Sequence, residues 1–112
     1  MSIVVTTDKP NGLLSAIRSA IDTGEVKTWE YDKDGDFTHS AEQWKLKAWL
    51  RPKLEDERII FHILPPQGIA LSRTVYAVYH GRFIEMLLTH FDTLFDRAVT
   101  TALATHGDIV KP

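Results

Sequence analysis

Between residues 44 and 53 the chain alternates with period two. Trp44, Leu46, Ala48 and Leu50 fall on one side, and Lys45, Lys47, Trp49, Arg51 and Lys53 on the other. Such alternation predicts a half-buried strand. A shorter signal competes with it. Ser40 followed three residues later by Gln43 matches a helix capping box, and a helix over 41–50 would cluster Trp44, Ala48 and Trp49. The longer alternation outweighs the four-residue motif, so the strand is favoured.

The flanking segments extend the sheet. Residues 58–64 are apolar at nearly every position, as in a central strand, and Pro65-Pro66 ends the run. Upstream, Trp29 and Tyr31 alternate with Thr28 and Glu30 over 26–31. A second run covers 36–40, and Lys33-Asp34-Gly35-Asp36 supplies the turn of a hairpin.

Helical periodicity marks both ends of the chain. Leu13, Leu14, Ile17, Ala20 and Ile21 form one apolar stripe, predicting a helix over 10–22. Asp8 is the expected N-cap, Pro10 suits the first turn, and Gly24 suits a left-handed C-cap; Asn11-Gly12 could delay the start by a turn. From Tyr76, apolar residues recur every three or four positions through Tyr79, Phe83, Leu87, Phe91, Leu94 and Ala98 to Ala102. This predicts one long helix from about Arg73 to Ala104 with Gly81 inside it, ahead of a loose tail at 105–112. The alternative makes Thr74–His80 a fifth strand; the helix is favoured.

These elements give an α+β fold ordered α-β-β-β-β-α. The expectation is a four-stranded antiparallel sheet with the N-terminal helix and the long C-terminal helix on one face. The predicted core is Leu14, Ile17, Ile21, Leu46, Leu50, Ile59, Phe61, Ile63, Phe83, Leu87, Phe91 and Phe95.

Composition narrows the function classes. The 112 residues, 44% hydrophobic and 25% charged, fit a single ordinary globular domain. The absence of cysteine removes disulfides, thiolate catalysis and cysteine-bearing zinc sites. A net charge of −2 weighs against a dedicated nucleic-acid binder. Met1–Val5 has no basic leader pattern, and no apolar run approaches the roughly 20 residues of a membrane span, so a cytoplasmic protein with no membrane partner is expected.

Two residue groups carry candidate chemistry. Lys45, Lys47, Arg51 and Lys53 around Trp49 would combine a phosphate track with a stacking surface for single-stranded nucleic acid, and Arg58 could extend it. Cations are also ordinary on solvated strand faces, and Glu55, Asp56 and Glu57 would partly neutralise the patch. Tyr76, Tyr79, His80, Arg82 and His90 form the densest chemical segment and are the pocket candidates. No nucleophile motif joins them.

Other patterns lead nowhere. Asp32, Asp34 and Asp36 fail as a calcium loop, with Phe37 at the sixth position and Gln43 at the twelfth, and read as turn formers. The five histidines contain no zinc-binding helical pair, so neither metal nor cofactor is expected. His62 reads as a hydrogen-bonded sheet histidine.

Phe83, Ile84, Met86, Leu87, Leu88, Phe91, Leu94 and Phe95 exceed a single ~100° apolar stripe, pointing to a homodimer. The preferred function is therefore a non-enzymatic binding module that self-associates through its long helix. The alternatives are single-stranded nucleic-acid binding by the 44–53 strand, and a small enzyme using His80 or His90.

Overall fold

The computed structural model describes residues 2–102. In chain order the elements are β1 (Ser2–Thr6), α1 (Pro10–Asp22), β2 (Trp29–Tyr31), β3 (Phe37–His39), β4 (Trp49–Glu55), β5 (Arg58–Leu64), α2 (Arg73–Phe91) and β6 (Arg97–Thr100). The class is α+β, with one antiparallel sheet ordered β2-β3-β4-β5-β1-β6. The sheet has six strands rather than the four expected. Both additions come from the ends: β1 inserts between β5 and β6, and β6 forms an edge.

One alternating set of strand residues builds the core floor. The register pairs Ile3 with Phe61, Val5 with Ile59 and Leu50 with Ile63, and all six are fully buried. Leu13, Leu14, Ile17 and Ala20 of α1 pack into the same core as Tyr79, Phe83, Met86, Leu87 and Phe91 of α2. Phe83 lies at the aromatic centre, its ring 4.7 Å from Phe61, 5.0 Å from Trp29 and 5.8 Å from Phe37. The apolar residues that looked excessive for one stripe are thus largely taken up inside the chain. Ile84 and Phe95 are half-buried, while Leu88 and Leu94 stay exposed.

The opposite face of the sheet is covered by no helix among the described residues. Across it run the rows Arg51–His62–Ser2 and Lys53–Ile60–Val4–Val99. His62 is a hydrogen-bonded sheet histidine, its Nδ1 3.3 Å from Ser2 Oγ.

Several sequence expectations need correction. Residues 44–53 are a strand only from Trp49 onward; 40–48 form a succession of turns, neither strand nor helix. Leu46 has φ +59°, outside both the extended and right-handed helical regions, which interrupts either pattern. It is 51% exposed rather than core, and Ile21 is half-buried. Asp8 does not cap α1. Lys9 occupies the cap with no side-chain bond, and Thr7 Oγ1 instead accepts from the Lys9 amide at 3.1 Å. Gly24 does take a left-handed conformation, φ +82°, its amide donating to Ile21.

The long helix ends at Phe91 instead of Ala104. Tertiary bonds stop it. Thr7 Oγ1 donates to the Leu94 carbonyl at 2.7 Å, and the Asp96 amide donates to the Thr6 carbonyl at 2.8 Å. These bonds deliver Arg97–Thr100 to the β1 edge, where β-branched Val99 and Thr100 suit a strand. Residues 74–80 are helical, which removes the fifth-strand alternative. The expected tail at 105–112 lies outside the described residues.

At the β2 edge, the Tyr31 hydroxyl donates to Asp22 at the end of α1, 2.7 Å away. That bond raises the Tyr31 pKa above its ordinary value, with burial and the Asp22 charge adding to it. A raised phenol pKa contributes stability that is full below the unfolded value and lost as pH rises through the folded one. Asp22→Asn should therefore move one phenol back toward the ordinary range. Ultraviolet titration of phenolate formation, compared between variant and wild type, reads this directly. Identical curves would mean the bond is absent in solution.

Candidate functional site

The hairpin of β2 and β3 places Trp29 opposite His39, and the two rings stack at 4.9 Å and 22°. His39 is buried, at 3% exposure, and Tyr79 meets it edge-on at 6.2 Å. Its Nδ1 sits 2.6 Å from the Thr28 carbonyl, which also accepts the Ser40 amide. A carbonyl only accepts, so Nδ1 is the donor, and the tautomer this bond selects has its acceptor at Nε2. Stacking and this bond together fix both the tautomer and the ring's orientation.

Beside His39 opens a cavity of about 360 Å³, walled by Trp44, Gln43 and Glu42 from the 40–48 turns and by Arg82 from α2. Tyr79 holds the turns in place. Its hydroxyl donates to the Trp44 carbonyl and lies 3.1 Å from Thr38 Oγ1, whose own proton goes to the Ala48 carbonyl at 2.9 Å. One phenolic proton thus faces two acceptors, and three chain segments meet at one buried oxygen. Arg82 is exposed and meets Glu85 only at 3.9 Å, so its guanidinium remains available to a ligand.

The five sequence-derived pocket candidates do not converge. Tyr79 points into the core and Arg82 borders the His39 cavity. Tyr76 and His80 face a separate, mainly apolar cavity of about 340 Å³ beside β6, where Tyr76 donates to the Ala102 carbonyl at 3.0 Å. His80 Nδ1 lies 2.7 Å from the Tyr76 carbonyl, one turn back along α2. His90 is exposed at the helix end.

The basic strand is also divided. Trp49, Arg51 and Lys53 share the uncovered sheet face, whereas Lys45 and Lys47 project from the preceding turns. Arg51 grips the buried Asp36 carboxylate with two bonds, at 3.0 and 2.7 Å, and Asp36 in turn raises the guanidinium pKa. Lys53 and Arg58 both reach Glu55, whose pKa is lowered chiefly by the Arg58 bond. Arg51, Lys53 and Arg58 are thus engaged by neighbouring carboxylates, whereas Lys45 and Lys47 form no ion pair among the described residues.

Asp32, Asp34 and Asp36 do gather their oxygens within 4.8 Å. The Asp32 carboxylate accepts the amides of Asp34 and Asp36, each at 3.0 Å, which accounts for it as a turn former.

The sequence reading missed His39, Glu42, Gln43 and Trp44. For the first, the turn Lys33–Asp36 read from the sequence would set Trp29 opposite Ser40, one position off the observed pairing with His39. Nothing local indicated that Arg82 joins them. No helix among the described residues is long and apolar enough to cross a membrane. No family model, curated protein or solved structure matches the chain. The functional reading therefore rests on the site's own chemistry.

Proposed function

We propose that this chain is a non-enzymatic, cytoplasmic binding domain whose site is the His39–Arg82 cavity. Its ligand is a small organic anion bearing a planar ring and a hydrogen-bond donor, as in an aromatic amino acid or a nucleoside monophosphate. The observation that carries this reading is the buried, stacked, tautomer-fixed His39 beside a cavity bordered by Arg82. Arg82 would pair with the anion, the half-buried Trp44 would stack on the ring, and the His39 lone pair or Glu42 would accept from the donor.

The geometry supports this over the other readings. Self-association through α2 keeps little apolar surface to work with, since Phe83, Met86, Leu87 and Phe91 are core residues. Nucleic-acid binding keeps Trp49, but Arg51 is shared with Asp36, Lys53 and Arg58 with Glu55, and Lys45 and Lys47 lie off the strand in the preceding turns. An enzyme using His80 or His90 would rest on residues held apart, His80 at the cavity beside β6 and His90 exposed at the end of α2.

The test is an amide- and side-chain-resolved NMR titration with phenylalanine, tryptophan, AMP, acetate and a short single-stranded oligonucleotide. Ring-bearing anions should shift His39 and the Trp44 indole while acetate does not. Arg82→Ala should weaken the binding at least about tenfold, a loss of roughly 1.4 kcal/mol. Response to the amino acids alone, or to AMP alone, separates the two sources of the same chemistry. A flat response to all small anions sinks the proposal. Salt-dependent shifts on Trp49, Arg51 and Lys53 with the oligonucleotide would put nucleic-acid binding in its place.

A further inference from the structure

The β4–β5 ribbon has two unlike ends. At the tip, Leu54 is 42% exposed and is followed by Glu55 and the turn residues Asp56 and Glu57. Glu55 is engaged by Arg58, but among the described residues no ion pair occupies the side chains of Asp56 and Glu57. At the other end, where β4 begins and β5 finishes, lies a groove of about 390 Å³. Its apolar surface includes Leu46 and Ile69, 51% and 56% exposed, with Leu71 and Val75 beside them. Lys45 and Lys47 rim it, both exposed and neither in an ion pair among the described residues.

Leu46 is the outlier that calls for an explanation. A leucine at φ +59° is strained relative to ordinary backbone, and here burial does not offset the strain. A partner covering the groove would supply the missing burial. The required partner has an apolar residue followed by acids, and the chain itself presents one in Leu54–Glu57.

We propose that a second copy of this chain docks its β4–β5 tip in the groove formed by Leu46, Ile69, Lys45 and Lys47. Leu54 covers Leu46 and Ile69, and Asp56 and Glu57 meet the two lysines. Because tip and groove lie at opposite ends of one ribbon, a two-fold pair makes the contact twice, each tip in the other's groove. Closed two-fold dimers are the commonest homo-oligomers. The contact uses none of the residues around the His39 cavity, so it stands or falls apart from the ligand proposal.

Sedimentation velocity of the full chain reads the outcome. Wild type should form dimers at low ionic strength and dissociate by about 0.5 M salt, where the screening length drops to a few ångströms. Lys45→Glu with Lys47→Glu should be monomeric, as should Asp56→Lys with Glu57→Lys. Mixed in equal amounts, the two variants should recover a dimer at low salt, because the reversed groove accepts the reversed tip. All four positions are exposed, so folding of the variants is not at stake. A wild type monomeric at low salt, dimers indifferent to both reversals, or a mixture that stays monomeric each overturns the proposal.

Discussion

Phe83→Ala is expected to lower the unfolding free energy by about 3–5 kcal/mol, the range seen when a buried aromatic is truncated. The position explains the size. Phe83 is fully buried and its ring contacts Trp29 of β2, Phe37 of β3 and Phe61 of β5, so one side chain joins α2 to three strands. Rings anchored in separate strands cannot all close on the void, and the cavity term adds to the lost transfer energy. Against a typical total of roughly 5–15 kcal/mol, this is a large share. Urea denaturation should show a lower midpoint with an unchanged slope. A midpoint within experimental error of wild type would mean that the aromatic centre is not packed in solution.

Tyr79→Phe is expected to cost about 1–3 kcal/mol while leaving the ring's packing intact. The loss comes from a single oxygen. Without it the Trp44 carbonyl keeps only the Lys47 amide, at 3.3 Å, and Thr38 loses a buried neighbour. The effect should also reach the site, because the Tyr79 hydroxyl bonds the Trp44 carbonyl and its ring meets His39 edge-on. Affinity for a ring-bearing anion should fall in Tyr79→Phe even where the protein remains fully folded. If stability falls but the His39 and Trp44 signals and the affinity stay unchanged, the hydroxyl holds the fold and not the pocket.

The two variants mark where sequence reading succeeded and where it stopped. The apolar run 58–64 is β5 with the limits expected, and the stripe Leu13–Ile21 is the buried side of α1. The hairpin turn was also legible, with Gly35 at φ +84° beside Asp34. Adding a Cβ at Gly35 would bring it within 2.6 Å of Arg18 Nη2, a crowding no local pattern discloses. The site was harder. Of its walls only Arg82 was named beforehand, and it was grouped with Tyr76, His80 and His90, which lie elsewhere.

By itself, the sequence determined what depends on neighbours a few residues apart: the periodicity of α1 and β5, the glycine-bearing turn, the α+β class. Tertiary structure decided the rest through contacts between distant segments. Helical periodicity continued past Phe91, yet bonds from Thr6 and Thr7 at Leu94 and Asp96 delivered Arg97–Thr100 to the sheet as an edge strand. Strand alternation held from residue 44, yet a hydroxyl 35 positions away bonds the Trp44 carbonyl, and residues 41–44 wall a cavity instead. In both places the local preference was worth tenths of a kcal/mol per residue, and buried hydrogen bonds and packing outweighed it.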